Sequence, residues 1–143
     1  MRCEFILATE KDKNYLLDLR KLTMVEHLEK SGQFLSDAQH EFRLNDAYEC
    51  SYLVMYANEL IGTLKYRANE TTVEIMQLQI HPLFQRQGFG QKILQQIITD
   101  SKPKLFELTV LKENPALQLY KRLGFEITGE DQHEYFMQIS TGY

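Results

Sequence analysis

The chain has 143 residues, of which 43% are hydrophobic and 25% charged, and its formal net charge is −4 at pH 7. Those values fit one globular domain spanning residues 1–143 and exclude a disordered or collagen-like chain. The acidic balance argues against nucleic acid as a partner, and no run approaches the roughly 18 apolar residues of a membrane span.

The first ten residues, Met-Arg-Cys-Glu-Phe-Ile-Leu-Ala-Thr-Glu, hold an apolar run too short for a signal peptide, so the expected location is cytoplasmic. Cys3 and Cys50 are too few and too far apart for a Cys-based zinc site and read as reduced core thiols. Arg2 to Ala8 is a predicted strand, with Phe5 and Leu7 alternating against Glu4 and Ile6. Thr9 reads as an N-cap with Asp12 as its capping-box partner. The helix that follows presents Leu16, Leu17, Leu19, Leu22, Met24 and Val25 as a broad apolar face and stops near Ser31-Gly32. Ser36 caps a short polar helix over Asp37–Phe42. Ser51–Tyr56 and Leu60–Arg67 read as a hairpin around Ala57-Asn58-Glu59, and Thr71–Ile80 as the third strand of a meander.

Pro82 ends that strand. A glycine-containing turn, Gln85 to Gly90, leads into a helix whose apolar face is Phe89, Ile93, Leu94, Ile97 and Ile98. Leu105–Leu111 is a strand. Asn114 then reads as an N-cap with Pro115 at the first helical position, and Gly124 as the helix stop. Phe125–Gly129 and Glu134–Ile139 are the last two strands. The order β-α-α-β-β-β-α-β-α-β-β predicts an α/β (α+β) domain with a mixed sheet of about seven strands and four helices.

A strand, a glycine turn and a helix N-terminus in succession point unpaired backbone N–H groups outward, where the helix dipole favours an anion. The turn lacks the Gly-Lys-Ser/Thr of a Walker loop, and Ile93 stands where a Rossmann fingerprint needs its third glycine. By itself the hexapeptide also reads as a plain tight turn. A second constellation lies about 24 residues on, in Asn114-Pro115-Ala116-Leu117-Gln118-Leu119-Tyr120-Lys121-Arg122-Leu123-Gly124-Phe125.

Together these segments resemble the GNAT superfamily of N-acetyltransferases. Gln85-x-x-Gly88-x-Gly90 is similar to that family's acetyl-CoA motif, and Asn114, Tyr120 and Leu123-Gly124-Phe125 to its following strand–helix motif. The resemblance covers roughly residues 73 to 127. It implies a GNAT-like fold in which the strand over Ile75–Ile80 splays from the strand over Leu105–Val110. It also implies acetyl-CoA as cofactor, with acetyl transfer directly to a primary amine of a small molecule or peptide. Backbone groups at Leu78, Gln79 and Ile80 would hold the pantetheine arm. Those of Gln85, Arg86, Gln87, Gly88, Phe89, Gly90 and Gln91 would hold the pyrophosphate, and Asn114 would contact the arm. The resemblance also admits a homodimer. A non-catalytic acyl-CoA-binding module is the rival reading.

Such transfer needs an acceptor for the amine proton and a donor for the leaving thiolate. The resemblance gives the donor to Tyr120, which as a residue also fits a core tyrosine beside Leu117 and Leu123. Glu74 aligns by spacing from Gly88 with a strand glutamate used as base in histone-type members. Other members place that base in the next strand, where this chain has Thr109, or use a water chain. Strand parity groups Glu74 with Met76, Leu78 and Ile80 unless a bulge inverts it. Gln77 and Gln79 suggest a polar cleft wall, and Gln77 and His133 are candidate substrate contacts. No His, Asp or Glu spacing supports a metal site.

Overall fold

A computed structural model describes residues 2–101 and 105–140. The elements are β1 (Glu4–Leu7), α1 (Lys13–Lys30), α2 (Asp37–Asn45), β2 (Ser51–Tyr56), β3 (Glu59–Ala68), β4 (Thr72–Ile80), α3 (Phe89–Asp100), β5 (Leu105–Leu111), α4 (Ala116–Arg122), β6 (Glu126–Glu130) and β7 (Glu134–Ser140). Short 3-10 turns precede α1, β2 and the glycine loop. The seven strands form one sheet in the order β1-β2-β3-β4-β5-β7-β6, in which β4 and β5 make the parallel pair.

The local signals act as elementary chemistry requires. Ser36 and Gln39 close a reciprocal capping box at α2, with Gln39 N donating to Ser36 Oγ at 3.2 Å and Ser36 N to Gln39 Oε1 at 2.8 Å. Ala57 and Asn58 both have positive φ, 50° and 66°, the pair that a two-residue hairpin turn demands. Asn114 Oδ1 accepts from Ala116 N at 2.9 Å, starting α4 with Pro115 in its first turn. Gly124, at φ 102°, ends that helix.

The main core packs α3 and α4 against one face of the sheet. Ile93, Leu94 and Ile97 meet Val54, Val73, Ile75, Phe106, Leu108 and Met137, all buried. A smaller cluster of Ala8, Leu16 and Leu44 lies under α1 and α2 on the other face. Cys3 belongs to the main core while Cys50 is only half-buried, and both are free thiols.

Helix α1 departs from its expected face. Leu22 is 59% exposed, whereas Arg20 is 2% exposed and buried against His40. Leu7 of β1 is also exposed, because this edge strand pairs with β2 alone and its outer face has little cover. No helix among the described residues is long and apolar enough to cross a membrane.

Candidate active site

β4 and β5 stay in register only from Thr72–Leu105 to Ile75–Leu108. Beyond that point β4 remains bonded to β3, and β5 to β7, but the two edges that face one another have no ladder partner. The strands therefore part, and a cleft of about 770 Å³ opens between them. A second irregularity decides what faces it. Lys65 pairs with Gln77 and Tyr66 with Ile75, so Met76 is an extra residue on β4. The bulge inverts the alternation. Glu74, Gln77 and Gln79 share a face with their partners Arg67, Lys65 and Thr63, while Leu78 and Ile80 turn to the main core with Val73 and Ile75. Glu74, Gln77 and Gln79 all line the cleft.

The glycine loop follows the end of β4 and leads into α3. Arg86 and Gly88 are left-handed, at φ 63° and 82°. A Cβ built on Gly88 meets nothing within 4 Å, so the glycine serves the backbone conformation rather than a tight contact. At Gly90 the reason is space, since a Cβ there would lie 2.9 Å from Leu119 Cδ2 of α4. Lys92 N donates to Gly88 O at 3.0 Å, and the N–H groups before it point past the end of α3. Gln85 Nε2 donates to Ile80 O at 2.9 Å and Gln87 Nε2 to Leu83 O at 3.3 Å, so these two side chains brace the loop against the end of β4. Phe89 anchors it from below, edge-on to Tyr56 with ring centroids 5.0 Å apart.

Tyr120 lines the cleft from α4, its ring 6.1 Å from Phe125 and its phenol pushed up to about 12 by burial. Asn114 lines it at the end of β5. Glu74 is held by Arg67, whose Nε and Nη2 both lie 3.0 Å from Oε1. His133 sits outside the cleft lining, its Nδ1 3.3 Å from Ser31 Oγ at the end of α1.

The neighbouring residue, Glu134, faces the cleft instead and was not singled out from the sequence. It is half-buried, and burial followed by the nearby Asp131 carboxylate raises its pKa above the usual carboxylate range. Asp131 Oδ1 accepts from the N–H groups of both His133 and Glu134, a turn that sets which of the two points inward. Thr109, also in the lining, has no ionisable group for proton transfer in the neutral range. From the helical side Arg20, Met24 and Leu28 of α1 and Phe42 and Arg43 of α2 complete the walls.

The family model described as an acetyltransferase (GNAT) domain matches residues 19–138. No curated protein matches the chain. Among solved structures it is similar to an acetyltransferase from Thermus thermophilus, with TM-score 0.78 and 15% identity over 99% of this chain and 98% of that one. The PaiA N-acetyltransferase of Thermoplasma acidophilum, solved with coenzyme A, gives TM-score 0.73 and 14% identity over 99% of this chain and 100% of that one. Spermidine N-acetyltransferase of Vibrio cholerae, solved with coenzyme A and spermine, gives 0.69 and 20% over 97% and 95%. These three likenesses speak for the fold. The family match, which takes in the parted strands, the glycine loop and α4, shows that the chain belongs to the GNAT acetyltransferases, acyltransferases whose cofactor is acetyl-CoA.

Proposed function

We propose that this chain transfers an acetyl group from acetyl-CoA directly to a primary amine of a small molecule or peptide. The observation that carries the reading is the parting of β4 from β5, which opens a cleft lined by a buried phenol and carboxylates, in a chain whose β4 runs on through a glycine loop into a helix N-terminus. The residues present fit the cofactor. An exposed strand edge suits an amide-containing arm, and the N-terminus of the twelve-residue helix α3 suits a pyrophosphate.

Bound acetyl-CoA supplies an acetyl group already activated as a thioester. In this assignment the N–H groups from Arg86 through Gln91 hold the pyrophosphate, with Gln85 and Gln87 acting as braces. The free edge of β4 around Leu78 and Gln79 receives the arm. Ile80 bounds that edge, because its carbonyl is occupied by Gln85. Asn114 uses its oxygen on Ala116 N and keeps its amide N–H groups for the cofactor. Tyr120 stays protonated throughout the neutral range and donates a hydrogen bond at the leaving sulfur. A phenol near 12 is a weak proton source, so stabilisation by donation outweighs full transfer.

For the amine proton, Glu74 is the first candidate base and Gln77 orders the acceptor or a water beside it. A specific observation favours a second reading. Glu74 is engaged by Arg67, whereas Glu134 has no ion pair among the described residues and a raised proton affinity, as a base needs. His133 then acts as a positioning residue that ties β7 to α1.

Calorimetry with coenzyme A, followed by acetylation of an amine panel, tests the reading. Micromolar binding and turnover of at least one primary amine are expected. Absence of coenzyme A binding would overturn it.

A further inference from the structure

The strongest unexplained feature outside the assigned chemistry is Arg20. It is 2% exposed, its Nε donates to His40 Nδ1 at 3.3 Å, and its Nη1 is buried without a partner. No carboxylate among the described residues pairs with it. Lys65 is a useful contrast. It is nearly as buried, but its Nζ reaches the carbonyls of Arg43, Leu44 and Asp46 at 3.4, 3.1 and 2.6 Å, which cap the end of α2. Arg20 has no such compensation. Burial, with Arg43 nearby, lowers its pKa to about 10.

Two further observations mark this as a maintained arrangement. Residues two apart on a helix lie on opposite faces, and α1 places Leu22 in solvent in order to place Arg20 inside. Gln79 Nε2 and Ser51 Oγ are also buried without partners, but they adjoin a separate cavity of about 10 Å³, room for a single water. Arg20 is not part of that cavity's wall. It lines the main cleft, together with Arg43. A buried guanidinium left unpaired is unfavourable unless an anion joins it.

We propose that Arg20 and Arg43 form an anion subsite in the cleft, so that the acceptor amine also carries a carboxylate or a phosphate. The proposal rests on the amine-acetylation reading above and narrows its substrate class. Guanidinium groups bind the oxygens of either anion in pairs. Glu134 lies within electrostatic reach of Arg43, so the cleft offers an anion site and an ammonium site together. That pattern matches a zwitterionic small molecule and disfavours a purely cationic polyamine.

The test compares matched acceptors on the wild-type protein. Amino acids of increasing chain length and aminoalkyl phosphates are set against the corresponding amides and amino alcohols, with spermidine as a cationic amine. The anionic member of a pair is expected to have kcat/KM about 10- to 100-fold higher. The series that gains more identifies carboxylate or phosphate. Arg20→Gln should erase the difference and Arg43→Gln reduce it, with turnover of the neutral amine little changed. Arg20→Met should unfold at the wild-type temperature or above it, because an unpaired buried charge is removed. Equal rates within the pairs, or preference for spermidine, would overturn the subsite and leave amine transfer standing. Turnover of no amine by protein that binds coenzyme A would overturn amine transfer, and the subsite with it.

Discussion

Gly88→Asp compared with Gly88→Asn isolates the electrostatics of the glycine loop. Both side chains have the same shape, and each must adopt φ 82°. A Cβ at this position meets nothing within 4 Å, and any contact farther out is common to two side chains of one shape. The conformational cost, about 1 kcal/mol for residues that tolerate the left-handed region, is therefore shared. What remains is one negative charge beside a bound pyrophosphate. At ~5 Å and an effective dielectric of roughly 20–80, each pair of unit charges contributes about 1–3 kcal/mol. Gly88→Asp should then bind coenzyme A roughly 5- to 150-fold more weakly than Gly88→Asn, while the two unfold within a few degrees of one another. Isothermal calorimetry and thermal unfolding measure both quantities. If the two variants bind coenzyme A equally, the pyrophosphate does not lie at this loop.

Gly62→Ala should destabilise the protein by about 2–4 kcal/mol, because a Cβ there would stand 2.2 Å from the backbone oxygen of Gln79; urea denaturation checks it, and a loss below about 1 kcal/mol would contradict the close approach of β3 and β4. Tyr120→Phe should lower kcat by about 10- to 100-fold with coenzyme A affinity unchanged, and unaltered turnover would remove Tyr120 from the chemistry. Glu134→Gln should stabilise the protein at neutral pH. The folded pKa of Glu134 is raised, so ionisation costs stability above that pKa, and the advantage of the variant should shrink as pH falls through it. Unfolding temperatures across roughly pH 4 to 8 decide, and a difference that grows on acidification would reverse the assignment.

Much of the fold was legible because its signals are local. The spans Ser51–Tyr56 and Leu105–Leu111 come directly from apolar and β-branched runs, and the caps at Ser36 and Asn114 from residue chemistry alone. The glycine loop was legible for the same reason, since its spacing and its place before a helix are sequence properties. What stayed hidden depends on partners distant in the chain. Hydropathy ranks leucine inside and arginine outside, yet Leu22, which the apolar face of α1 would bury, is exposed while Arg20 is buried. Their orientation is set by α2 and the cleft, which periodicity does not see. The Asp131 turn, which sequence spacing does not reveal, decides that Glu134 at the start of β7 and not His133 before it lines the cleft. A glycine inside a strand ordinarily weakens it, and only the approach of β4 shows the use of Gly62.

The bulge at Met76, rather than the number of residues in β4, keeps the chemistry on the two sides of the strand apart. Surface turns elsewhere in the chain can gain or lose a residue with local effect. Residue-by-residue pairing past Ile75, with Met76 taken into the ladder opposite Lys65, would exchange inside for outside along the rest of the strand. Leu78 and Ile80 would then face the polar cleft and the two glutamines the apolar core, which has no hydrogen-bond partners to offer them. In a variant library, deletion of Met76, which leaves Ile75 and Gln77 opposite Tyr66 and Lys65, should be depleted far less than deletion of a residue inside β5, which pairs with β7 without a bulge and has no spare residue to take up the loss.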